Sequence, residues 1–128
     1  MAFYQSPAIW HPQIVYGGTF KKVFTHRNRL TGAAIDLTDV ASVDAQIKDF
    51  GGSVLLAITA SVLGTPTNGQ IELTATKTAT GAIVLPTYAT ELRRWMALGA
   101  FDCKLNWTTG SEVDFIMVGT ANICRTNG

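Results

Sequence analysis

"FDCKLNWTTGSEVDFIM", residues 101–117, decides the class of fold. Phe101, Cys103, Leu105 and Trp107 alternate with Asp102, Lys104 and Asn106. After Thr108-Thr109-Gly110-Ser111 the alternation resumes, with Val113, Phe115 and Met117 set against Glu112 and Asp114. Successive side chains of an extended chain point to opposite faces, so period two marks a strand with one packed face and one wet face. Two such runs joined by a compact polar turn read as an antiparallel hairpin.

The same period recurs on either side. Val43, Ala45 and Ile47 alternate with Asp44, Gln46 and Lys48, and Ile71, Leu73 and Ala75 alternate with Gln70, Glu72 and Thr74. Residues 19–25 and 54–59 also read as strands. The second is apolar on both faces, which predicts a central or covered position. Gly51-Gly52 supplies a hairpin corner, and "GTPTNG" (64–69) a polar loop with a turn signal. About seven strands separated by short turns predict an all-β, antiparallel β-sandwich of the immunoglobulin-like kind. One stretch departs from this. Tyr88, Leu92, Trp95 and Met96 stand at helical spacing, which predicts a short helix or helical turn near 86–99 with Gly99 as its cap. A further single turn is expected within 75–82.

The chain has 128 residues, enough for one domain with its own core. Residues 13–128 are expected to form that sandwich domain, and residues 1–12, with Pro7 and Pro12 and no period, an extended N-terminal arm. The net charge of +1 favours neither nucleic acid nor an anionic membrane as partner. No apolar run approaches the ~20 residues that span a bilayer, and the first residues lack the pattern of a secretory leader. The expectation is synthesis in a cytoplasm.

Catalytic and metal signatures are weak. His11 and His26 are the two histidines, without a nucleophile elbow beside either. His26, in the basic turn "FTHRNRLTG", is expected as a solvated loop histidine. Asp36, Asp39, Asp44 and Asp49 do not match a calcium-loop frame; Asp36 and Asp39 suit local hydrogen bonds at a strand corner instead. Cys103 and Cys124 read as two buried thiols, with a disulfide as the alternative if their strands bring them together. No enzyme, metal or cofactor is expected. The arm's Phe3, Tyr4 and Trp10 are aromatic anchors that either fold back on the sandwich or dock on a neighbouring subunit. Arg93, Arg94 and Trp95 form a second candidate contact patch, with a core position as the alternative for Trp95.

The order of segments resembles small β-sandwich proteins of tailed bacteriophages, found in baseplate and tail-fibre attachment modules. The resemblance is carried by Ala34-Ile35-Asp36-Leu37-Thr38-Asp39 followed by 43–48, then by Gly69 to Ala75 with Thr78-Ala79. It closes on Phe101 to Leu105, Gly110-Ser111, Phe115 to Met117, Gly119 and Ile123. Asp39 stands where that pattern usually has glycine. The resemblance implies a non-enzymatic virion structural protein at the baseplate or tail tip, serving assembly or tail-fibre attachment by packing with other tail proteins and with copies of itself. It carries no catalytic residues. Two alternatives remain: a head or neck decoration protein, and a sandwich binding host-surface carbohydrate through Trp107 with Asn106 and Asp102.

Overall fold

The computed structural model describes residues 5–85, 95–108 and 113–124. Eight strands follow in chain order: β1 (Ala8–Ile9), β2 (Gln13–Val15), β3 (Phe20–Thr25), β4 (Val40–Lys48), β5 (Val54–Val62), β6 (Gln70–Ala75), β7 (Met96–Trp107) and β8 (Val113–Cys124). A single-turn helix, α1 (Lys77–Gly81), follows β6. They lie in one sheet of order β1-β8-β7-β4-β5-β6-β3, with β2 also on β8.

The architecture is mostly β, as expected, but the clear antiparallel sandwich is replaced by a mixed sheet curled into a half-barrel. Two features produce the difference. First, β1 and β2 run parallel to β8, with Ala8 opposite Met117 and Ile14 opposite Ile123. Second, β5 pairs with β4 through Val54 to Ile58 and with β6 through Thr59 to Val62. One strand thus turns the corner between the two halves, as its central position in the order requires. The concave side gathers Val43, Ala45 and Ile47 from β4, Ile71, Leu73 and Ala75 from β6, and Phe101, Cys103, Leu105 and Trp107 from β7. Leu37 and Ile83 close this core from the connections.

The corners follow local chemistry. Asp36 Oδ1 accepts from the backbone N–H and the hydroxyl of Thr38. Asp49 Oδ1 accepts from Gly51 and Ser53 N–H at 2.9 Å each, which shapes the β4–β5 hairpin. Thr76 caps α1 by accepting from Ala79 N–H.

The helix expected near 86–99 is not formed at its end, because Met96 to Gly99 belong to β7; residues 86–94 lie outside the described residues. Gly99 is no helix cap. It sits where β7 crosses the end of β4, and a Cβ there would lie 2.0 Å from the Lys48 carbonyl oxygen. The pairing of β7 with β8 shifts register between Ala97 and Gly99 at the same place.

A second shift corrects the phase of β8. Cys103 opposes Met117 but Lys104 opposes Phe115, so Ile116 is an extra residue. Beyond it Met117, Ala121 and Ile123 face the core; before it the inward positions are Asp114 and Ile116. Val113 and Phe115, expected inside, are exposed, and Asp114, expected on the wet face, is 4% exposed.

Candidate functional site at the seam of the half-barrel

A curled sheet that does not close leaves two edges facing one another. One edge is β3, hydrogen-bonded along one side to β6. The other is made by β1 and β2, which are short and separated by Trp10-His11-Pro12. Both edges carry features that discourage indiscriminate strand pairing: Lys21 and Lys22 on β3, and a proline beside the two brief strands opposite.

Trp10 ties the edges together. Its ring stacks on Phe20 of β3 at 6.2 Å between centroids and meets Phe101 of β7 edge-on at 5.4 Å. The Lys22 ammonium lies over the same ring, 5.2 Å from its centroid. The chain enters and leaves this plug through fixed backbone bonds, Trp10 N–H to Val118 O at 3.0 Å and Asn122 N–H to Pro12 O at 2.8 Å. His11 Nδ1 accepts from Thr120 N–H at 2.9 Å. The backbones approach so closely here that a Cβ on Gly119 would lie 1.7 Å from the Trp10 carbonyl oxygen.

On one side of the plug lies an open groove of about 350 Å³ lined by Trp10, His11, Gln13, Thr19, Phe20 and Lys21. On the other lies a smaller cavity of about 170 Å³. Gln5, Ala8, Phe24, His26, Arg29 and Met117 contribute to its wall, with Arg27. The segment before β1 is strapped over the basic turn that rims this cavity. Gln5 donates from Nε2 to the Arg27 carbonyl at 2.7 Å and accepts from Arg29 N–H at 3.2 Å. The Arg29 guanidinium donates to the Ser6 carbonyl. Arg27 Nη1 donates to the Gly32 carbonyl at 3.0 Å.

His26 is not the solvated loop residue the sequence suggested. It is 6% exposed, and its Nε2 has no hydrogen-bond partner. Its backbone is held on both sides, its N–H donating to Gly69 O at 2.8 Å and its carbonyl accepting from Ile35 N–H at 2.9 Å. Burial first, and then the nearby Arg29 charge, hold its pKa down at about 4, so the ring is neutral near pH 7. The missed signal was phase. Phe20, Lys22 and Phe24 are successive positions on one side of β3, His26 follows in the same phase just past its end, and Phe20 is buried.

The sequence-predicted contact residues separate. Phe3, Tyr4, Arg93 and Arg94 lie outside the described residues. Trp10 is half-buried in its own seam, so the described part of the segment 1–12 is tied to the sheet. Trp95, just before β7, is 43% exposed. Trp107 is buried and offers no face for sugar stacking, and its Nε1 has no partner. Both cysteines are buried, and they do not form a disulfide with one another. Burial, with Asp102 and Asp44 adding to it, pushes the Cys103 thiol up to about 12, which leaves it inert as a nucleophile. No group of three or more potential metal ligands occurs among the described residues.

No family model and no curated protein matches the chain.

Proposed function

We propose that this chain is a non-enzymatic structural subunit of a tailed-phage virion, placed at the baseplate or tail tip, where it works by packing against other tail proteins and copies of itself. The observation that carries the packing part is the distribution of uncovered apolar side chains. Phe50 and Val54 are 66% and 53% exposed at the β4–β5 hairpin. Val113 and Phe115 are 43% and 46% exposed at the start of β8. Lys48 opposes Val54 and Ala100, whereas Asn106 opposes Val113, so the two pairs stand at opposite ends of the β4–β7–β8 sheet.

Large apolar side chains left at both ends of a sheet suit head-to-tail contacts, in which one end of a subunit meets the other end of the next. Between them the outer face is polar and of mixed charge, with Asp44 exposed and Gln46, Asp102, Lys104 and Asn106 half-buried. Asn106 Nδ2 bridges to Ser42 and Asp44 at 2.9 and 2.8 Å, which stiffens that face without making it apolar. The ordered resemblance of residues 34–48, 69–79 and 101–123 to phage tail modules supports the placement.

Gold-labelled antibody against the chain, applied to intact particles and viewed by electron microscopy, tests this. Label at the distal tail is the expected result. Label on the head or neck keeps a structural role and discards the tail; protein free in the lysate with no particle labelled discards the virion.

A further inference from the structure

The cavity under the Gln5–Ser6 strap has features that packing does not require. A histidine buried to better than nine-tenths lines it with an unsatisfied Nε2. Unpaired buried polar atoms are uncommon in folded chains and cost stability, so one in a side chain that lines a cavity marks a place where a partner atom would be gained. Arg27 and Arg29 line the same space. Each guanidinium carries five N–H donors, and the bonds to Gly32 and Ser6 use only part of that set. No acidic side chain is among the described lining residues, and Arg29 lies near enough to add to the burial that disfavours a charged His26. The remaining wall sets polar Gln5 and Thr25 beside apolar Ala8, Phe24, Ile116 and Met117, and the apolar part suits a short aliphatic stem.

We propose that this cavity is a carboxylate subsite, which takes the side chain of a glutamate or aspartate presented by an extended segment of a partner protein lying along the seam beside β3. The neutral imidazole donates from Nε2–H to one carboxylate oxygen, and Arg29, with Arg27, donates to the other. A volume of about 170 Å³ accommodates a carboxylate and its methylenes and is too small for most drug-sized ligands. The partner is acidic because the rim is basic, and extended because an unpaired strand edge runs beside the cavity. The proposal rests on the packing function above, since it names the chemistry of a partner.

The test uses the full chain and the peptide acetyl-Thr-Val-Glu-Val-Thr-amide, its glutamine counterpart, and acetate. Binding is read by calorimetry and by the NMR signals of the His26 ring, assigned with His26→Gln. The expected result is saturable movement of those signals by the glutamate peptide, with affinity weaker by about tenfold or more for the glutamine peptide and for Arg29→Gln. Because Arg29 also holds Ser6, Arg27→Gln provides a second variant, expected to weaken the glutamate peptide severalfold while circular dichroism stays unchanged. Failure of the glutamate peptide to move the His26 signals at millimolar concentration overturns the proposal. So does acetate binding as tightly as the peptide, which would make the cavity a site for free small carboxylates. Loss of self-association in Arg29→Gln would assign the site to a second copy and overturn the partner chemistry. None of these results bears on where antibody label falls on particles, so the two ideas fail separately.

Discussion

Two buried titratable side chains set opposite pH dependences. His26 has a native pKa near 4 against an ordinary value of 6.5, so the unfolded chain takes up a proton first as pH falls. Its stabilising contribution is whole above pH 6.5 and is lost as pH drops towards 4. Allowing for screening at the cavity mouth, the loss amounts to about 2 kcal/mol. His26→Gln should remove that part of the slope, seen as the difference between urea unfolding curves of the two proteins at about pH 7.5 and 4.5. Asp114 runs the other way. Burial raises its pKa above the ordinary 3.8, so the native state holds the proton more tightly than the unfolded chain. Its penalty appears as pH rises above 3.8 and is complete once the native carboxyl has ionised. Asp114→Asn should therefore stabilise the protein near neutrality by about 1 kcal/mol, with the gain fading towards about pH 3. Thermal melts across that range check it, and a destabilised variant at neutral pH would show that the carboxylate is satisfied in solution.

At the scale of elements, close backbone crossings decide more than propensity does. The path from β1 to β2 presses the Trp10 carbonyl onto Gly119, where no side chain fits. Gly119→Ala must push that segment outward and should cost about 2–3 kcal/mol, read as a lowered melting temperature. Crystals or NMR of the variant should show weakened pairing of β1 and β2 with β8, while β4, β5 and β7 keep their register. The same comparison shows what was legible in the sequence. β4, β6 and β7 were readable because one face of each meets the core along its length, so burial writes a period of two. β8 was readable as a strand, but Ile116 reverses its phase, and an inserted residue leaves no mark in composition. The parallel pairing of β1 and β2 was not readable at all, since two- and three-residue strands have no period to show. His26 was misplaced because its neighbours Arg27 and Arg29 are exposed and polar, although its phase with Phe20 pointed inward. Met96 to Gly99 looked helical because Trp95 and Met96 match a 3.6 spacing with Leu92, and pairing with β8 outweighed that weak preference.

For the whole molecule, the question is what an incompletely closed sheet does with its surplus surface. The inside is accounted for: Trp10 plugs the seam, and the core side chains of β4, β6, β7 and β8 fill the concave side. The outside is not, because Phe50 and Phe115 remain exposed at opposite ends of the same sheet. A residue that serves folding and one that serves assembly respond differently to truncation. Phe50 and Phe115 add little to the monomer's core, so replacing both with serine should shift its stability by less than about 1 kcal/mol. The same pair should dominate packing against neighbours, where a few buried aromatic anchors carry most of the binding energy. The expected outcome for the double variant Phe50→Ser with Phe115→Ser is a melting curve close to that of the unaltered protein, together with a clear loss of self-association in sedimentation and of label on particles. An equal loss of both would place these aromatics in the fold. Unchanged association with an unchanged melt would move the packing surface elsewhere, leaving the seam as the face by which this subunit meets its partners.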